Sequence, residues 1–127
     1  MMRRTITSSF HLKTMGILFC GLFSSQNLSA KEVTPAEFWQ LEQTPNAVIV
    51  DVRSPAEFKQ GHLPSAMNIP FDQIAQLEAQ VKEKDRPILL YCRSGQRARI
   101  AEQQLNALGY PNTFNGMSYQ QLLQAKP

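Results

Sequence analysis

Cysteine is scarce in this 127-residue sequence, which contains only Cys20 and Cys92. So small a number excludes a disulfide-rich scaffold. Cys20 lies in an N-terminal segment that we expect to be removed, which would leave Cys92 without a partner in the same chain. Cysteine and histidine also form no cluster with the spacing of metal ligands, so the sequence predicts no metal and no other cofactor.

A hydrophobic run long enough to cross a membrane as a helix is also missing. Residues 15–23 form an apolar stretch of signal-peptide length, which follows three basic residues and no acidic one. Because Ala30 offers a small residue after a polar segment, we expect residues 1–30 to be a secretory signal peptide and residues 31–127 to form one exported domain. A lipoprotein anchored through Cys20 is disfavoured, because bulky Phe19 stands where a small residue is needed.

Excess charge of either sign is missing once this leader is set aside. Residues 1–30 hold three of the 13 Lys and Arg residues and none of the 10 Asp and Glu residues, which leaves ten of each in residues 31–127. A neutral balance gives no support to nucleic-acid binding. We expect a monomer with no nucleic-acid partner and no stable association with a membrane.

Strand and helix patterns alternate along residues 31–127. Short apolar runs without polar alternation are typical of strands covered on both faces, and capping boxes or i, i+3, i+4 apolar spacing are typical of helices. Their order predicts an α/β domain whose parallel sheet has helices on both faces. The strands are expected at residues 47–50, 88–91 and near 112–114, and the helices from about residues 34, 54, 71, 97 and 118.

Cys92 stands where a predicted strand ends and a polar, arginine-bearing turn begins. In such a strand–loop–helix corner, loop N–H groups and the following helix N-terminus favour a negative charge on the sulfur. The alternative is a buried, inert thiol of the kind that is common in protein cores. The arginines that flank the turn favour the reactive interpretation.

Three ordered motifs resemble those of a known family. They are residues 51–58 (DVRSPAEF), 61–70 (GHLPSAMNIP) and 91–97 (YCRSGQR). Together they resemble the single-domain rhodaneses, which are thiosulfate sulfurtransferases, and the signal peptide makes the chain similar to the periplasmic rhodaneses of Gram-negative bacteria. The resemblance implies a rhodanese-like domain with a five-stranded, mostly parallel sheet, located in the periplasm.

The same resemblance implies a catalytic role for Cys92. This residue would attack the outer sulfur of thiosulfate, release sulfite and hold a persulfide that passes to a thiophilic acceptor such as cyanide or a thiol. The loop would bind substrate mainly through its backbone amides, while the roles of its arginine side chains stay open between substrate contact and solvent exposure. Gly95 is expected to allow a backbone angle that a side chain would forbid. The substrate-binding loop residues are Arg93, Ser94, Gly95, Gln96 and Arg97.

Two other functions fit the cysteine loop less well. A phosphatase loop of related type carries its arginine six positions after the cysteine, but Ala98 stands there in this chain. A non-catalytic module that carries or senses sulfur is the stronger alternative, although inactive modules usually lose the cysteine. The sequence therefore favours sulfur transfer through Cys92.

Other polar residues have more ordinary explanations. A structural pair of Asp51 and Arg53 is favoured over an acid–base role, and His62 is expected to fix a turn. Trp39 is expected in the core. Three departures from the family pattern concern the pocket: Ala98 replaces a frequent Ser or Thr, residues 115–119 lack the usual paired glycine, and no tryptophan stands in the helix that follows.

Overall fold

The computed structural model describes residues 31–127, so the predicted signal peptide and Cys20 lie outside the described residues. Strands and helices alternate along this part of the chain, which confirms the predicted α/β class. The strands are β1 (Val48–Asp51), β2 (Met67–Asn68), β3 (Ile88–Cys92) and β4 (Thr113–Ser118). The helices are α1 (Pro35–Glu42), α2 (Pro55–Gln60), α3 (Leu77–Gln80), α4 (Gln96–Ala107) and α5 (Tyr119–Gln124), and a 3-10 helix (Phe71–Gln76) precedes α3.

The sheet has four strands in the order β2-β1-β3-β4, and every neighbouring pair is parallel. In place of a fifth strand, a single parallel bridge joins Glu32 to Asn115 of β4. The pairing is this short because the chain turns into α1 at its N-cap, Thr34. The prediction of five strands was therefore wrong by one within residues 31–127.

Side chains of β1 and β3 point alternately to the two faces of the sheet. On one face, Val50, Leu90 and Cys92 pack against the 3-10 helix, α3 and α4. On the other face, Ile49 and Leu89 belong to a second core with side chains of α1 and α5. Helices therefore cover both faces, as predicted.

Both predicted helix starts carry the expected capping boxes. Thr34 and Glu37 cap α1 reciprocally, and Ser54 and Glu57 do the same for α2. The predicted helix over residues 71–81 instead begins as a 3-10 helix, because its apolar residues recur every three positions, which matches three residues per turn. None of the helices in residues 31–127 is long and apolar enough to cross a membrane.

Candidate active site

Cys92 is the last residue of β3, and only three residues separate it from α4. Its side chain is buried, and the backbone N–H of Gly95 donates a hydrogen bond to its Sγ at 3.0 Å. Gly95 is also the N-cap of α4, a twelve-residue helix, so the helix begins beside the sulfur. Both the N–H group and the positive end of the helix dipole favour an anion at this position.

Gly95 adopts a left-handed backbone with φ of 101°, which strains any residue with a side chain. A Cβ atom here would lie 2.6 Å from Sδ and 2.7 Å from Cε of Met117. Met117 itself is left-handed, with φ of 70°. Met117 belongs to residues 115–119, where the family usually has a paired glycine. Its side chain therefore lies against the cysteine loop at a place where a glycine would have none.

Gly95→Ala is expected to lower sulfur transfer by at least about tenfold. A hydrogen bond to a charged group contributes about 1.5–3 kcal/mol, and 1.4 kcal/mol corresponds to a factor of ten. The substitution would displace the N–H group that contacts Cys92. Steady-state rates of the variant and the wild-type protein measure the effect.

Gly109→Ala is the matched control, because Gly109 lies just beyond the other end of α4 and is also left-handed, with φ of 94°. A Cβ atom added at Gly109 would have space, since the nearest atom, Cδ of Lys84, lies 3.6 Å away. It should cost about 1–2 kcal/mol of stability through backbone strain and leave the rate per folded molecule unchanged. Equal rates for the Gly95 and Gly109 variants would show that the Gly95 contact does not matter for transfer.

Asn115 fixes the conformation of this loop from β4. Its buried Nδ2 donates to the carbonyl oxygen of Gly95 at 2.9 Å, and its Oδ1 accepts from the backbone N–H of Met117 at 2.9 Å. These bonds lie at a register shift between β3 and β4, where β4 carries an extra residue. Bulges of this kind often redirect a strand beside a functional site.

The Arg97 side chain is paired with an acid. Its Nη1 and Nη2 donate to the two carboxylate oxygens of Glu57 at 2.7 and 3.0 Å. The hydrogen bond from Arg97 lowers the pKa of Glu57 to about 2, so the pair stays charged at neutral pH. Arg97 therefore joins the cysteine loop to α2, a contact that is neither of the two roles considered from the sequence.

Asp51 and Arg53 form a buried ion pair at the end of β1. Nε and Nη2 of Arg53 donate to both carboxylate oxygens at 2.7–3.1 Å, and Nη2 also donates to the Gly61 carbonyl oxygen at 2.7 Å. The guanidinium carbon lies 4.3 Å from the ring centre of Tyr119. This arrangement matches the structural role that we favoured for the pair.

A cavity of about 520 Å³ opens beside the loop. Arg93 has an exposed side chain that lines it together with Arg53, which offers positive charge to an anionic substrate. Ser94 and Gln96 are exposed and line a second, smaller cavity with Gly95 and Met117. Glu57 also lines the first cavity, and the Arg53 guanidinium is paired with Asp51, so the positive charge that this cavity offers to an anion comes mainly from Arg93.

The remaining sequence predictions concern residues outside the loop. Trp39 is buried in the second core, and its indole N–H donates to the Leu122 carbonyl oxygen at 2.9 Å, which confirms its core placement. The His62 ring stacks on Phe58 at 3.7 Å, and Nδ1 lies 2.9 Å from the Phe58 carbonyl oxygen. Across residues 31–127, no three His, Cys, Asp or Glu side chains are grouped so that they could hold a metal ion.

Comparison with known proteins places this fold and loop in a family. The model of the rhodanese-like domain matches residues 34–116. A sulfurtransferase from Allochromatium vinosum is 37% identical over 76 residues, which cover 60% of this chain and 70% of that protein. A thiosulfate:glutathione sulfurtransferase from Saccharomyces cerevisiae is 33% identical over 81 residues, and the chain spans 58% of its length.

Solved structures show the same relationship. A human single-domain sulfurtransferase has a TM-score of 0.65 at 26% identity, over 77% of this chain and 99% of that chain. A rhodanese with anions from E. coli has a TM-score of 0.59 at 27% identity, over 64% of this chain and 94% of that chain. The chain belongs to the rhodanese-like domain family. Within that family it is a sulfurtransferase, which moves sulfur between a small-molecule donor and an acceptor.

Proposed function

We propose that this protein is a thiosulfate sulfurtransferase that works by double displacement through Cys92. The Cys92 thiolate attacks the outer sulfur of thiosulfate, a new S–S bond forms, and sulfite leaves with the electron pair of the broken S–S bond. Cyanide or a thiolate then attacks the outer sulfur of the persulfide. Thiocyanate or a new persulfide leaves, and the Cys92 thiolate is regenerated.

The observation that carries this proposal is the hydrogen bond from the Gly95 N–H to the Cys92 Sγ at the start of α4. The thiolate, thiosulfate and the persulfide are all anionic, so the same N–H group and helix end would stabilise the sulfur throughout the cycle. Arg93 is placed to attract the anionic donor from the 520 Å³ cavity. Ser94, Gln96 and the Arg97 backbone complete the proposed binding loop.

Phosphate-ester hydrolysis has less support. The position six residues after Cys92 is Ala98, whose side chain is buried in the core, so the loop lacks the arginine of a phosphatase. Arg97 is one residue too early and is paired with Glu57. The second candidate is a sulfur carrier or sensor, which would accept sulfur on Cys92 without turning over rapidly.

We also propose that residues 1–30 are a signal peptide and that residues 31–127 act in the periplasm as a monomer. The basic start, the apolar residues 15–23 and the small Ala30 support cleavage and release. In cell fractionation, the shortened chain should appear with periplasmic proteins. Retention of the full-length chain in the membrane fraction would contradict this location.

A single-turnover assay tests the mechanism. Thiosulfate added without an acceptor should release about one sulfite per Cys92, since double displacement lets the first product leave before the acceptor binds. Cyanide added afterwards should give an equal amount of thiocyanate. Sulfite release only when both reagents are present would refute double displacement. Full transfer of the first sulfur with negligible turnover would instead identify the carrier function.

A further inference from the structure

Glu102 is a charged residue of α4 that lies in the protein interior. It is fully buried, and its Oε1 accepts a hydrogen bond from the backbone nitrogen of Lys31 at 2.6 Å. Its Oε2 has no hydrogen-bond partner among residues 31–127. One turn further along α4, the buried Oδ1 of Asn106 likewise has no partner within this range.

One main-chain N–H group is too little for a buried carboxylate. Burial raises the pKa of Glu102 and the charge of Glu32 adds to that rise, while the hydrogen bond from the Lys31 backbone and the charge of the Lys31 side chain oppose it only in part. Buried charges are normally paired with an opposite charge, because an unpaired one destabilises the folded protein strongly. The site around Glu102 therefore has the chemistry of a binding site for a cation with several N–H donors.

We propose that cleavage after Ala30 converts the backbone nitrogen of Lys31 into an α-ammonium group, which pairs with Glu102 and anchors the mature N-terminus. Water hydrolyses the bond between residues 30 and 31, the Ala30 carboxylate leaves with the leader, and the new amine of Lys31 takes up a proton. This inference rests on the proposed signal-peptide cleavage. It assigns to Glu102 a structural role that can be tested without measuring sulfur transfer.

The geometry fits an ammonium group better than an amide. An ammonium has three N–H donors, whereas an amide nitrogen has one. One donor already points at Oε1 of Glu102, and the ammonium adds two more beside a carboxylate whose Oε2 has no partner among residues 31–127. The pairing also places a positive charge beside the buried carboxylate, which offsets the cost of burying it.

The anchored residue is part of the sheet edge that supports the cysteine loop. The Lys31 carbonyl oxygen accepts a hydrogen bond from the Asn115 N–H at 2.8 Å. The Nζ of Lys31 donates to the Pro111 carbonyl oxygen at 2.9 Å. Asn115 in turn holds the Gly95 carbonyl oxygen. Cleavage after Ala30 would therefore hold Lys31 in place beside Asn115.

The test expresses the whole chain with its leader in a Gram-negative host and purifies the exported product. Intact mass should show a chain that begins at Lys31. Unfolding by urea is then measured from pH 7 to pH 10 for the wild-type protein, for Glu102→Gln and for the control Glu78→Gln, whose carboxylate contacts Lys84 at the surface. A fourth variant carries one glutamine inserted between Ala30 and Lys31, so that cleavage after Ala30 places the new ammonium on the inserted residue and away from Glu102.

An α-amine paired with Glu102 has a pKa in the folded protein that is raised above its ordinary value of about 7.7–8.0. Its contribution to stability is full below that value and is lost as the pH rises through the folded pKa. The wild-type folding equilibrium constant should therefore fall at least about tenfold relative to Glu102→Gln between pH 7 and pH 10. The Glu78 control should follow the wild-type protein, and the insertion variant should follow Glu102→Gln.

Two results would overturn the inference. Cleavage at another bond, or none, would remove the ammonium from residue 31. The second is cleavage after Ala30 with no pH-dependent loss of stability. If the folding equilibrium constant of the wild-type protein keeps a constant ratio to those of Glu102→Gln and the insertion variant from pH 7 to pH 10, the pair does not form. Neither readout uses sulfur transfer, so a failure here is separate from a failure of the proposed activity.

Discussion

Cys92→Ser is expected to abolish sulfur transfer, with a loss of at least about 10³-fold, while the fold is retained. A serine hydroxyl is not ionised near neutral pH, so it would offer no anion to attack the outer sulfur of thiosulfate, and loss of a covalent nucleophile has effects of this size or larger. The serine Oγ can accept the hydrogen bond that the Gly95 N–H donates to the sulfur, so the fold should be retained. Thiocyanate formation from thiosulfate and cyanide gives the rate, and circular dichroism checks the fold.

Cys20→Ser provides the matched control for that experiment. Cys20 lies in the predicted signal peptide, so the exported product of this variant should be identical to the wild-type protein and equally active. Transfer by the Cys92 variant at more than a trace of the wild-type rate would contradict the proposed mechanism. Loss of transfer in the Cys20 variant would show that the leader is not removed as proposed.

Asp51→Ala is expected to destabilise the protein by about 3–5 kcal/mol. The substitution leaves the buried guanidinium of Arg53 without its carboxylate, and breaking a buried pair by removing one partner has this cost. The loss also affects the cavity wall, because Arg53 contacts Tyr119 and the Gly61 carbonyl oxygen. Urea unfolding at neutral pH measures the change in the free energy of unfolding.

Glu78→Ala is the control for the buried pair, because it removes an ion pair whose partners are both about 43% exposed. Surface pairs contribute about 0–1 kcal/mol, so this variant should remain close to the wild-type protein. The double variant Asp51→Ala/Arg53→Met should recover much of the lost stability, since it leaves no unpaired charge. A rate loss in Asp51→Ala without destabilisation would instead indicate a catalytic carboxylate.

Much of the fold was predictable because the relevant signals are local. The Thr34 and Ser54 capping boxes, with proline at the first helical position, gave the starts of α1 and α2, and the structure confirms both. The apolar runs gave β1 and β3 to within a residue. The helix expected from residue 71 is α-helical only over Leu77–Gln80 and is a 3-10 helix over Phe71–Gln76. Apolar residues spaced by three and by three to four cannot be told apart over so few turns.

Contacts between distant segments were beyond the reach of the sequence. Arg97 pairs with Glu57, which is 40 residues away, and Asn115 reaches Gly95 across 20 residues. Nothing in the local pattern distinguishes these side chains from ordinary surface residues. The sequence alone shows that residues 115–119 lack the paired glycine of the family. Only the structure shows that Met117 has a left-handed backbone and that its side chain lies against Gly95.

The most direct test of sulfur transfer through Cys92 is the intact mass of the purified exported protein before and after thiosulfate, with a thiol-reductant control. A persulfide on Cys92 should add one sulfur atom, about 32 Da, which the thiol removes and which Cys92→Ser does not gain. No gain in a folded protein whose Cys92 thiol is free would contradict persulfide formation from thiosulfate. That result would exclude thiosulfate as the donor for this sulfurtransferase.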